Sequence, residues 1–129
     1  MPSDDLLTGR LTAPTSDPNE RRVRAFYCFH ESDCLPDDPG TVLVPVSRLP
    51  LLIDALVWDR DFFGFIDDHD RILQVRYDDE HASWVEIPSN EEHGSWGAYM
   101  SEAELLAFVA ALPTSFTGES IPNAAFQAW

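Results

Sequence analysis

FFGFIDDHDRILQVRYDDEHASWVEI, residues 62–87, decides the fold. Three runs rich in β-branched and aromatic residues (Phe62–Ile66, Ile72–Tyr77 and Ser83–Ile87) are separated by the short polar connectors DDHDR and DDEHA. That spacing suits an antiparallel meander. Along each strand the side chains alternate between the two sheet faces. Leu73, Val75 and Tyr77 therefore point one way, and Gln74 and Arg76 the other. Val85 and Ile87 share a face, leaving Trp84 and Glu86 opposite. If the aliphatic set meets helices, then Gln74, Arg76, Trp84 and Glu86 are exposed together. A Trp beside Arg and Glu on an open surface has the composition of a protein-binding hot spot.

Upstream of the meander, Val23–Phe29 reads as a strand and HESDCLPDDPG as a loop. Thr41–Val46 is a short extended piece that Pro45 confines to an edge or a strand end. Ser47 offers an N-cap with Pro50 in the first turn, and Leu49, Leu52, Ile53 and Leu56 follow with helical spacing, ending near Trp58. Downstream, residues 88–97 read as a loop and Ala98–Met100 as a brief extended segment. Ser101 and Glu104 form a capping box ahead of Leu105, Phe108, Val109 and Leu112, and Pro113 stops that helix. Residues 1–20 lack an apolar period and read as a mobile arm. The tail from Thr114 to Trp129 carries Phe116, Ile121, Phe126 and Trp129 without periodicity, so irregular packing is expected there. The resulting class is α+β: an antiparallel β-meander of four to five strands with two helices packed on one face, in a single domain over 21–129. Its second face is then open to solvent or a partner.

Charge is distributed unevenly along this layout. The net charge is −15, and the stretch from Asp54 to Glu104 holds fourteen acids against three Arg, contributing −11 of it. Residues 1–30 sum to zero. So much charge of one sign destabilises a compact state by self-repulsion, and serves either solubility or the attraction of a basic partner. All eight cations are Arg. Arg21, Arg22 and Arg24, the one basic cluster, are expected to balance nearby acids. Direct nucleic-acid binding is disfavoured, because phosphate contact needs a basic footprint.

The residues that bear chemistry do not assemble into a recognisable motif. Cys28, His30 and Cys34 look at first like zinc ligands, but a structural zinc site needs four, from paired close-spaced motifs. Two Cys are too few for a disulfide scaffold; Cys28 and Cys34 could pair, but free buried thiols in a reducing compartment are the expected state. Cys28 with His30 could in principle form a nucleophile–base pair on one strand face. The acidic connectors emerge at opposite ends of their shared strand and lack EF-hand spacing. No phosphate-binding glycine pattern and no G-x-S-x-G occurs. No cofactor and no metal is expected. The N-terminus lacks the regions of a signal peptide, and no apolar run spans a membrane, so a cytoplasmic protein is expected.

The stretch FFGFIDDHDRILQVRYDDEHASWVEIPSNEEHGSWGAYMSEAELLAFVAALP, within a likeness that covers about residues 60–113, resembles the small acidic immunity proteins of bacterial polymorphic-toxin systems. Its meander, E-I-P turn, Gly-Ser loop and capped final helix carry the likeness. This is a resemblance of layout, so it supports a class and transfers no residue roles. It implies a non-enzymatic inhibitor that occludes the basic active site of a cognate toxin, with a nuclease or a deaminase preferred. In that case Trp84 and Trp96 are the expected anchors, with Gln74 and Arg76 beside them. Asp67, Asp68, Asp70, Asp78, Asp79, Glu80, Glu86, Glu91 and Glu92 would supply the field. The alternatives are a DNA-mimic inhibitor of anti-restriction or anti-CRISPR type, with carboxylates along a ridge, and a small enzyme or ligand-binding module with a concave pocket.

Overall fold

Leu73 and Val75 of the central strand are fully buried, whereas Arg76 is exposed, so the alternation read from sequence sets which face is inside. The computed structural model describes residues 6–31, 34–35, 40–79 and 82–129. In chain order the elements are α1 (Leu6–Thr12), β1 (Arg22–Cys28), β2 (Val42–Pro45), a 3-10 turn (Val46–Arg48), α2 (Pro50–Asp54), β3 (Phe62–Ile66), β4 (Ile72–Asp79), β5 (Ala82–Ser89), β6 (Gly94–Met100), α3 (Glu102–Ala110) and β7 (Ala125–Ala128). The strands form one open antiparallel sheet in the order β2-β1-β3-β4-β5-β6-β7. The class is thus α+β, with seven strands and three α-helices among the described residues where four to five and two were expected.

One face of the sheet carries the core. Val23, Ala25, Tyr27, Phe63, Phe65, Val85 and Ile87 join Leu7, Leu11, Leu52, Leu105 and Val109 from the helices in a single buried cluster. Each large apolar side chain buried there contributes about 1.5–3 kcal/mol. The Ser101–Glu104 capping box is formed, with both reciprocal bonds present, and starts α3 where the sequence placed it.

Four expectations are corrected. The arm expected over 1–20 contains α1, which docks through Leu7 and Leu11 and joins Thr8 to the Tyr27 hydroxyl; residues 1–5 lie outside the described residues. Ser47 caps no helix: its N–H and Oγ both donate to the Glu20 carboxylate, at 2.5 and 3.0 Å, and α2 begins two residues past the 3-10 turn. The tail is not wholly irregular, because β7 pairs with β6. Finally, Cys28 and Cys34 are not free thiols but a disulfide. The Leu35 N–H donates to the Tyr27 carbonyl, which leaves Cys28 and Cys34 opposite each other in a bridge position that is not hydrogen-bonded. Cross-strand side chains approach most closely at such positions, and Cys28 therefore has no thiol to offer as nucleophile or ligand.

Candidate functional site

Every helix and the described tail to Ile121 feed the same core, so among the described residues no helix lies over the second sheet face. Strand register assembles this outer face. Gln74 lies opposite Glu86, Arg76 opposite Trp84, Trp84 opposite Tyr99, and Phe62 opposite Arg76. The predicted quartet Gln74, Arg76, Trp84 and Glu86 is therefore contiguous. The Gln74 amide donates to one Glu86 oxygen (2.6 Å) and the Trp84 indole N–H to the other (3.1 Å). Glu86 thus holds the indole and the amide in fixed orientations.

Two aromatic side chains sit over glycines. The Trp84 ring lies against Gly97 with its edge toward Tyr99, ring centroids 4.9 Å apart, while the Phe26 ring covers Gly64. A Cβ at either glycine would collide with the ring above it. Tyr99 is 57% exposed and Phe62 37%, so the centre of this face offers rigid aromatic area to solvent. Gly97→Ala is expected to push Trp84 out of place at a cost of about 1–3 kcal/mol. Urea denaturation and the near-ultraviolet circular dichroism of Trp84 would register it. An unchanged midpoint and spectrum would contradict the packing described.

Acids rim the two ends of the face. Asp68 and Asp70 in the β3–β4 turn and Glu91 and Glu92 in the β5–β6 turn are exposed at one end. Asp78 is exposed at the other. Asp79 ends β4, and its side chain, like Glu80 and His81, lies outside the described residues. The Arg side chains do little to quench this field. Arg21, Arg22, Arg48 and Arg71 all donate to main-chain carbonyls (of Leu112 and Pro113, of Pro18 and Glu20, of Pro14, and of Phe116) rather than to carboxylates. Among the described residues one Arg–carboxylate ion pair forms, Arg24 with Asp70 at 3.2 Å. Of the 21–24 cluster, Arg24 pairs with Asp70 and the charge of Arg22 acts on the Glu20 carboxylate.

Two predicted site residues stand elsewhere. Trp96 lies opposite Ile87 in the register and so faces the helix side; it packs against Gly118 and Phe126, and its indole N–H reaches the Glu92 carboxylate (3.2 Å). It cannot share a surface with Trp84. Asp67 is 6% exposed and holds the fold together. Its Oδ1 accepts from the His69 and Arg71 N–H groups and its Oδ2 from Phe116, which ties the tail to the β3–β4 turn. Burial alone would raise its pKa, but these hydrogen bonds outweigh it and hold the carboxyl below its ordinary value.

Asp61 escaped the sequence reading altogether. It is fully buried, accepting from the His30 N–H and ring Nδ1 (2.9 and 2.7 Å) and from the Val57 and Trp58 N–H groups (both 2.9 Å). It belongs to a long run of acids, and nothing in its spacing sets it apart. Here too burial acts to raise the pKa, and the bonds from His30, Trp58 and Val57 prevail to lower it. The same bonds turn the chain away from helical geometry after α2, which accounts for a helix shorter than the apolar spacing suggests.

No protein-family model, curated protein or solved structure matches this chain. Function must therefore be read from the face itself. Among the described residues no cluster of three His, Cys, Asp or Glu is arranged to hold a metal ion, and no helix is long and apolar enough to cross a membrane.

Proposed function

We propose that the chain is a non-enzymatic inhibitor, of the immunity-protein kind, which uses its outer sheet face to cover a basic site on a cognate toxin. The observation that carries this reading is the open aromatic face. Trp84 is oriented by Gly97 and Glu86 with Tyr99 packed against it, and among the described residues the exposed carboxylates at the strand ends form an ion pair with Arg only at Asp70. Desolvated aromatic anchors slow dissociation, and an acidic rim speeds encounter with a basic partner. A toxin that acts on nucleic acid, such as a nuclease or deaminase, has a basic cleft that fits this rim, and is the preferred target. Inhibition is by steric occlusion and needs no cofactor. The protein would act in the cytoplasm of the cell that produces the toxin.

Co-expression with the toxin domain encoded beside its gene is the test. The two chains are expected to co-purify, the toxin's activity to be suppressed, and the association rate to fall about tenfold or more between 0.05 and 0.5 M NaCl. A neighbouring toxin that stays active and unbound at low salt would sink the reading.

A further inference from the structure

The two edges of the sheet are protected very differently. At one edge β2 ends in Pro45 and has α1 packed against it. At the other, all four residues of β7 are exposed, and residues 123–129 (NAAFQAW) contain neither a charged side chain nor a proline. Natural edge strands are ordinarily blunted by charge, proline, a bulge or a cover, because their unpaired backbone groups template pairing with another chain.

Register shows which groups are unpaired. The Trp129 N–H donates to the His93 carbonyl (2.8 Å), and β6 pairs with β7 as Ser95 with Gln127 and Gly97 with Ala125. Hydrogen-bonded and non-bonded pairs alternate in an antiparallel ladder. Ala125, Gln127 and Trp129 therefore bond inward, while Phe126 and Ala128 direct their N–H and C=O groups out of the sheet. We propose that a second copy of this chain pairs antiparallel along β7, about a twofold axis at Gln127. Phe126 of each copy then stands opposite Ala128 of the other, closing about four backbone hydrogen bonds.

The strand is self-complementary in this register. The large Phe126 ring meets the small Ala128, the two Gln127 amides meet on the outer face, and Phe126 and Trp129, 38% and 68% exposed, gain cover. The lack of charged side chains in 123–129 favours a like copy over a strand of basic residues. The net charge of −15 on each copy opposes association, so salt must strengthen the pairing, the opposite of the salt effect expected for a basic partner on the outer face. The inference is independent of the inhibitor reading.

Sedimentation equilibrium of the chain alone, at 0.05 and 0.5 M NaCl, tests it. Dimer is expected to rise with protein concentration and with salt. Ala128→Pro removes one outward N–H and leaves the inward bonds of Gln127 and Trp129 in place, and Gln127→Glu sets like charges on the axis. Each lesion occurs twice in a symmetric dimer, so each variant is expected to weaken self-association roughly a hundredfold with unchanged far-ultraviolet circular dichroism. If Ala128→Pro fails to fold, Gln127→Glu decides. A wild-type chain that is monomeric under every condition overturns the proposal and leaves the edge to a strand of another protein. A dimer that survives the substitutions overturns it equally.

Discussion

Asp61→Ala is expected to lower the unfolding free energy by roughly 3 kcal/mol, the largest stability effect of any single carboxylate in the chain. Truncation removes a fully buried carboxylate, leaves the part-buried N–H groups of Val57, Trp58 and His30 without their acceptor, and frees the turn that leads from α2 into β3. Asp61→Asn keeps the volume and one acceptor oxygen, and its loss should be smaller. Urea denaturation of the three proteins measures the series, and a loss below about 0.5 kcal/mol for the alanine variant would contradict the role assigned to Asp61. The pH dependence carries a definite sign. Asp61 and Asp67 are both held below the ordinary aspartate pKa of 3.8 in the folded state. The unfolded chain therefore binds more protons, so their contribution is complete above the unfolded value and drains away as pH falls through the folded values. Melting temperatures measured from pH 5 downward should fall steeply for the native chain and less steeply for Asp61→Asn.

The second large effect is on binding. Trp84→Ala is expected to weaken the complex with the cognate toxin about a hundredfold, within the range of a buried aromatic hot spot, with the unfolding midpoint only modestly changed. The indole is pinned by Glu86 and by the floor at Gly97, so the native side chain surrenders little rotamer freedom on binding. Tyr99→Ala removes the ring that braces it and should act in the same direction but less strongly. Because the two side chains touch, their losses should not add. Trp96→Ala is the internal control: it lies on the helix side and should disturb stability through Gly118 and Phe126 while leaving affinity near native. Titration calorimetry distinguishes these outcomes, and equal losses at Trp84 and Trp96 would contradict the division between the faces.

The centre of this fold was legible because local signals and long-range pairing agree there. Phe62–Ile66 matches β3 residue for residue, and the parity of Gln74 with Arg76 and of Trp84 with Glu86 follows directly from strand alternation. Asp70 adopts the left-handed conformation that closes the β3–β4 turn (φ 60°), a geometry that Asp tolerates within so polar a connector. Other features depend on tertiary contacts that the linear pattern does not encode. A helix as short as α1 is marginal alone and exists by burying Leu7 and Leu11. Residues 88–97 read as a loop, but β6 already begins at Gly94, and its register against β5, set by the turn at Asn90–His93 rather than by composition, puts Trp96 on the helix side. The Cys28–Cys34 disulfide depends on a strand bridge spanning a loop, and β7 on a partner strand already being in place.

Hydroxyl-radical footprinting read by mass spectrometry, with and without the bound toxin, locates the binding face side chain by side chain. Trp84, Tyr99 and Phe62 on the outer face are expected to become protected in the complex while Trp58, which is 51% exposed, keeps its reactivity. Protection of Trp58 and Leu106, with Trp84 and Tyr99 oxidised as fast as in the unbound protein, would contradict it.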